Sequence, residues 1–336
     1  MPDARPLLVV APNWLGDAVM ALPAIRDLAR HFSGEPLTIA ARPGVSSLFA
    51  MVDGVSAVVK SDAAAVGGVH AAVAVLLPNS FASAWLVSRA RVPERWGYAT
   101  DMRRVLLTRA IPRPRQPMHQ GEYYQHLVRE LGVATGPLEP VLTIPATAAE
   151  DARRLLTQHG WDEKRPLVVL APGAAYGKAK QWIPAHVVRL VTELIARYGV
   201  TCALIGSRGD AATTRAIRSA VPSQQRARVL DLAGATTLPV LAATLSLATV
   251  CISNDSGAMH LAGAVGAPVV AIFGPTNEQA TSPLMRRDVP SALLTARVWC
   301  RPCMLRECPI DHRCMTMIEP EGVLDAAETL AHLEPI

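Results

Sequence analysis

Three short segments combine residue types that can move a proton or hold a phosphate. The first is Asn13-Trp14-Leu15-Gly16-Asp17, which ends on a carboxylate where a helix is expected to begin. A carboxylate there can take the proton from an attacking hydroxyl, which is general-base work. It can equally satisfy the open amides of a helix start, and those amides lower its basicity unless local burial offsets them. Gly16 leaves room for a substrate and permits backbone conformations closed to other residues.

The second segment runs from Pro172 through Gly173, Ala174, Tyr176, Gly177, Lys178 and Lys180 to Trp182. Gly173 and Gly177 let backbone amides approach an anion, with Ala174 between them, and the two lysines bring compact positive charge suited to phosphate. The strict nucleoside-triphosphate motif, which ends Gly-Lys-Ser or Gly-Lys-Thr, is absent.

The third segment, Cys251 to His260, reads as a buried strand that turns into a helix through Asp255, Ser256 and Gly257. Amides at that helix start form an anion site, the Ser256 hydroxyl adds to it, and His260 follows one turn later on the same face. Asp255 beside a diphosphate is acceptable if its carboxylate caps the helix from the side and leaves the forward-pointing amides to the ligand. Asp210, after Ile205-Gly206-Ser207-Arg208-Gly209, can bond ribose hydroxyls or cap a helix. No strand is followed by Gly-x-Gly-x-x-Gly, which removes the best support for a nicotinamide or flavin enzyme.

Ligands of parallel sheets sit beyond the carboxyl ends of the strands, so these loops require such a sheet. Short apolar runs alternate with helix-length segments along the whole chain. Strands are expected at Leu7–Ala11, Leu37–Ala41, Ala57–Lys60 and Val73–Leu77, then at Leu167–Ala171, Thr201–Gly206, Val229–Leu232, Val250–Ser253 and Pro268–Phe273. Helices are expected between them, the first a continuous one over Asp17–His31. The fold class is therefore α/β, with two Rossmann-like doubly wound domains facing a cleft. The expected division is residues 1–160 and 161–336, the last helix closing the second domain or packing back on the first.

At 336 residues, half of them hydrophobic and 18% charged, the chain has the balance of a soluble enzyme. No apolar run approaches the roughly 20 residues of a membrane span, and Met1 to Val10 lacks the pattern of a secretory leader, so a cytoplasmic protein is expected. The net charge of +5 suits an anionic partner. Between Arg89 and Arg115 lie eight arginines against only Glu94 and Asp101, a local basic surface or a salt-bridged solvated face. Only Trp96 and Tyr98 interleave with them, so nucleic acid is a poor match and an anionic carbohydrate or membrane surface a better one.

Taken jointly, these loops resemble glycosyltransferase family 9, the ADP-heptose:lipopolysaccharide heptosyltransferases, and within it the heptosyltransferase II branch. The resemblance is carried by Asn13 to Asp17 with Leu22-Pro23, Pro172-Gly173 with Lys180-Gln181-Trp182, Asn254 to Gly257 with His260, and Phe273-Gly274-Pro275-Thr276. It implies a glycosyltransferase B fold and an inverting transfer with no cofactor or metal required. Asp17 becomes the candidate base, with Asn13 and Gly16 on the acceptor side. Gly173, Ala174, Lys180, Asp210, Asp255, Ser256, Gly257 and His260 become the site for ADP-heptose. The implied acceptor is the lipopolysaccharide inner core, met by peripheral contact at the inner face of the inner membrane.

Four of the six cysteines cluster at Cys300, Cys303, Cys308 and Cys314, with His312 among them. Four thiolates, or three with an imidazole, could complete a tetrahedral zinc site. The usual pair of Cys-x-x-Cys knuckles is missing, and the preferred expectation is a reduced, packed loop that helps shape the acceptor site.

Overall fold

A computed structural model describes residues 6–336, so the first five residues of the segment read for a leader lie outside it. Two compact units divide the chain, Met1–Thr143 and Ile144–Ile336.

The first unit runs β1 (Leu7–Val10), α1 (Leu15–Met20), α2 (Leu22–His31), β2 (Leu37–Ala41), α3 (Pro43–Phe49), β3 (Ala57–Lys60), α4 (Ala63–Gly67), β4 (Val73–Leu76) and α5 (Phe81–Arg89). It continues with β5 (Glu94–Tyr98), a 3-10 turn at Arg103–Leu106, β6 (Arg109–Ile111) and α6 (Gln120–Glu130). The strand order is β3-β2-β1-β4-β5-β6.

The second unit runs α7 (Ala146–Gln158), β7 (Leu167–Ala171), a 3-10 turn at Lys178–Lys180, α8 (Pro184–Tyr198), β8 (Thr201–Leu204), α9 (Ala211–Ala220), β9 (Val229–Asp231) and α10 (Leu238–Ser246). Then come β10 (Val250–Asn254), α11 (Gly257–Val265), β11 (Val269–Phe273), α12 (Glu278–Thr281), β12 (Ser291–Thr295), α13 (Arg313–Thr316) and α14 (Pro320–Ala331). Its order, β12-β11-β10-β7-β8-β9, is that of the first sheet again when its strands are counted from β7.

Every strand pairing among the described residues is parallel. The two sheets are thus α/β doubly wound layers, as expected. The reason is visible in β1, β2, β4, β7, β10 and β11, whose residues are all buried, as happens when helices cover both faces of a sheet. Strand order reverses between β1 and β4 and again between β7 and β10, and these are the crevices where such sheets take ligands.

The structure departs from the expected elements in several places. The single helix expected over Asp17–His31 is two, broken at Ala21, with Pro23 in the first turn of α2, where its missing amide costs nothing. Strands β5 and β6 carry Glu94, Arg95 and Arg109, which hid them from a search for apolar runs. The unit boundary falls at Thr143/Ile144, earlier than 160, because α7 packs on α10. The final helix, α14, packs on α8 in the second unit, where the Tyr198 hydroxyl donates to Glu328 at 2.6 Å.

Candidate active site

In the second unit, β7 and β10 deliver their loops side by side at the strand-order reversal. Asn254, the last residue of β10, ties them together. Its side-chain amide donates to the carbonyls of Pro172 at 2.8 Å and Gly173 at 3.3 Å, and its Oδ1 accepts from the Trp182 amide at 3.2 Å. This buried carboxamide fixes both ends of the loop carrying Gly173, Ala174 and Lys180.

Asp255 follows and is only 5% exposed. It does not cap α11, contrary to the expectation from sequence. Ser256 is the capping residue and makes no side-chain capping bond, its hydroxyl lying 3.0 Å from that of Ser253. The Asp255 carboxylate turns to Lys180, with Nζ at 2.6 Å, and accepts from the Thr276 hydroxyl at 2.7 Å. The lysine, 14% exposed along its side chain, also lies over the Tyr176 ring at 4.9 Å. A buried cation and anion so closely met offset each other's desolvation. The ammonium keeps two further protons to donate.

Around this pair, Gly257 opens α11 and His260 lies buried one turn further on. Asp210 packs so close to the Gly173 α-carbon that any Cβ there would overlap its carboxylate. Its Oδ2 accepts from the Ser207 amide at 2.8 Å and hydroxyl at 2.6 Å, so Asp210 closes a capping box.

The cysteine segment proves to be a clasp on this loop. The Arg306 carbonyl accepts from the Ala179 amide at 2.9 Å, the Met304 carbonyl from the Tyr176 hydroxyl at 2.9 Å, and His312 Nε2 meets the Ala179 carbonyl at 2.7 Å. A Cβ on Gly177 would overlap the Arg306 backbone. The segment therefore shapes the loop of Lys180. Cys303 and Cys308 are exposed and Cys314 is buried, and burial with its neighbouring thiols pushes the Cys314 thiol up. Among the described residues no three of His, Cys, Asp and Glu are arranged to hold a metal ion.

In the first unit, β1 leads through exposed Asn13 and Trp14 into α1. Asp17 stands at the third position of that helix, half-buried, beyond the capping residue Trp14. The Tyr124 hydroxyl of α6 reaches its Oδ1 at 3.5 Å. Burial, reinforced by the Asp17 charge, holds the Tyr124 phenol well above its usual range, so it remains a proton donor beside the carboxylate. α6 is itself pinned to α2 by Asp27, fully buried, which accepts from Gln125 at 2.8 Å and pairs with Arg30 at 2.8 Å.

Of the candidates read from the sequence, the fold gathers Lys180, Asp255, Ser256 and Gly257 and places Asp17 at the corresponding loop of the other sheet. Sequence reasoning did not single out Asn254, Thr276 and Tyr124, whose side chains contact these candidates or their loop. The first two stood inside quoted motifs, whereas Tyr124 offered only its helical position.

Comparison with known proteins agrees in sequence and in structure. The profile of glycosyltransferase family 9 (heptosyltransferase) matches residues 62–313. Lipopolysaccharide heptosyltransferase 2 of Salmonella typhimurium is 30% identical over 311 residues, 86% of this chain and 88% of that one. Lipooligosaccharide heptosyltransferase 2 of Haemophilus influenzae is 29% identical over 302 residues, 83% and 86% of the two chains. The structure of ADP-heptose lipopolysaccharide heptosyltransferase II from Escherichia coli aligns with a TM-score of 0.82 at 26% identity, covering 97% of this chain and 98% of that one.

Proposed function

The chain belongs to glycosyltransferase family 9, the heptosyltransferases, and from that membership we propose that it transfers heptose from ADP-L-glycero-β-D-manno-heptose to the first heptose of the lipopolysaccharide inner core. The observation that carries the donor half of this proposal is the Lys180, Asp255 and Thr276 cluster beside the start of α11, a helix with no side-chain cap.

The diphosphate lies on the first amides of α11 and on the free protons of the Lys180 ammonium. The acceptor hydroxyl attacks the anomeric carbon from the face opposite the diphosphate. A new carbon–oxygen bond forms, the bond to the β-phosphate oxygen breaks, and the configuration inverts. The hydroxyl proton passes to Asp17, and ADP leaves with the bonding electron pair. Negative charge grows on the departing oxygen, so Lys180 and the amides bind it more strongly in the transition state than in the ground state. Asp255 and Thr276 position Lys180, and Asn254 positions the loop around it. Tyr124 orients the Asp17 carboxylate.

Gly173, Ala174, Asp210 and His260 complete the donor site, with Asn13 and Gly16 at the acceptor. The enzyme acts in the cytoplasm, peripheral to the inner membrane, and needs no metal. No helix among the described residues is long and apolar enough to cross a membrane.

Competition among ADP-heptose, GDP-mannose and UDP-glucose on a mono-heptosylated acceptor tests the assignment. ADP-heptose should be turned over and the others left. Transfer from a different nucleotide sugar, or onto an acceptor with no heptose, would overturn the proposed donor or acceptor respectively.

A further inference from the structure

Large apolar side chains stand in solvent on two touching segments of the first unit. On α5, Phe81 is 40% and Trp85 48% exposed, their rings stacked with centroids 6.3 Å apart. Just before and within the 3-10 turn of Arg103–Leu106, Met102 is 89% and Val105 85% exposed. Four such side chains on adjacent elements exceed the scattered exposure of an ordinary soluble surface.

The two segments are locked to each other. Asp101 accepts from the Phe81 amide at 2.5 Å, and fully buried Arg103 donates to the Ser83 hydroxyl at 2.9 Å, the Tyr98 carbonyl at 2.8 Å and the Pro78 carbonyl. Burial lowers the Arg103 pKa to about 10, which still leaves the guanidinium charged near neutral pH. Asp101 and Met102 both hold left-handed backbone, at φ 48° and 53°, a conformation uncommon for such residues. This rigid mount presents Met102 and Val105 outward.

The surrounding charge is one-sided. Exposed Arg89 follows Trp85 by one turn, and exposed Arg104 sits between Met102 and Val105. In the same stretch of chain, exposed Arg113 and Arg115 follow β6 and lie at this end of the parallel sheet, whereas Arg91 precedes β5 and Arg109 opens β6 at the other end. Of the two acidic residues in that stretch, Asp101 is engaged by the Phe81 amide.

We propose that the Phe81, Trp85, Met102 and Val105 edge docks the protein onto an anionic phospholipid surface. Aromatic and aliphatic side chains enter the boundary between headgroups and acyl chains, while the flanking arginines pair with lipid phosphates. A protein partner of the same shape would not need a surplus of arginine of this size. The edge begins directly after β4, which pairs with β1, so it lies at the same end of the sheet as the loop of Asp17. In purpose the docking rests on the proposed function, because a membrane-anchored acceptor is reached only from the membrane surface.

The test is cosedimentation of the full chain with vesicles of phosphatidylcholine containing about 30% phosphatidylglycerol, against vesicles of phosphatidylcholine alone. Each result is paired with heptose transfer to detergent-dispersed acceptor. The protein should bind the anionic vesicles and release with added salt. The triple variant Trp85→Gln, Met102→Gln, Val105→Gln should lose about tenfold or more of that binding while keeping its transfer rate in detergent. Equal binding by the variant, or no binding by the parent protein, overturns the docking proposal. So does a concentration-dependent dimer that the variant abolishes without any vesicle binding, which would make the edge a contact between two copies. Vesicle binding without transfer in detergent would leave the docking intact and overturn the proposed reaction instead.

Discussion

The proposed function gives Lys180 and Asp17 opposite tasks, and substitution separates them. Lys180→Ala should weaken ADP binding and turnover together, because the ammonium serves both the bound diphosphate and the charge that grows on it. Asp17→Ala should leave ADP affinity near that of the parent and lower kcat by ~100-fold or more, the usual scale for a lost general base. Calorimetry with ADP and steady-state rates read the two, and a Lys180→Ala protein with unchanged ADP affinity would remove the lysine from the donor site. Tyr124 adds a pH signature. Its phenol sits above the ordinary value near 10, so its contribution to stability is complete below that pH and is lost as pH rises further. The difference in Tm between the parent and Tyr124→Phe should therefore be constant below about pH 9 and shrink at higher pH. A difference independent of pH to the alkaline limit of folding would contradict the shift. Lys180 and Asp17 were legible in the sequence because charge beside glycine or at a helix start stands out. Tyr124 was not, since its place beside Asp17 depends on how α6 is pinned to α2 by the Asp27 and Gln125 bond and so brought against α1.

At the scale of elements, the donor loop is held by its neighbours more than by its own hydrogen bonds. Asp255→Ala would leave a largely buried ammonium without its anion, and a loss of about 3 kcal/mol is expected, read by denaturant unfolding. Gly173→Ala would force the Asp210 carboxylate off its capping position, costing about 1–3 kcal/mol and loosening ADP binding. An alanine variant with parental stability and ADP affinity would contradict that contact. The strands that build the two crevices were readable because they are buried on both faces and therefore uniformly apolar. Edge strand β12, with its alternating exposure, and the arginine-bearing β5 and β6 were not. The cap on α11 was misassigned for a related reason. Sequence places Asp255 next to a helix start, but only the tertiary approach of Lys180 and Thr276 decides where its carboxylate goes.

For the whole molecule, one strand order used twice gives each unit a crevice at the same topological position. One holds Asp17 and the other Lys180 with the start of α11, and the proposed function assigns the base to the first and leaving-group stabilisation to the second. The repeat was legible from the alternation of apolar runs and helices. The exact division was not, because α7 reads equally well as the end of one domain or the start of the next until its packing on α10 is seen. The most direct measurement is mass spectrometry of mono-heptosylated Kdo-lipid A incubated with the purified chain and ADP-heptose. The proposed function predicts a product heavier by one heptose, formed ~100-fold or more slowly by Asp17→Ala, with no product from the acceptor lacking heptose. An acceptor left unchanged by the active parent protein, or extended equally well without its first heptose, would contradict it.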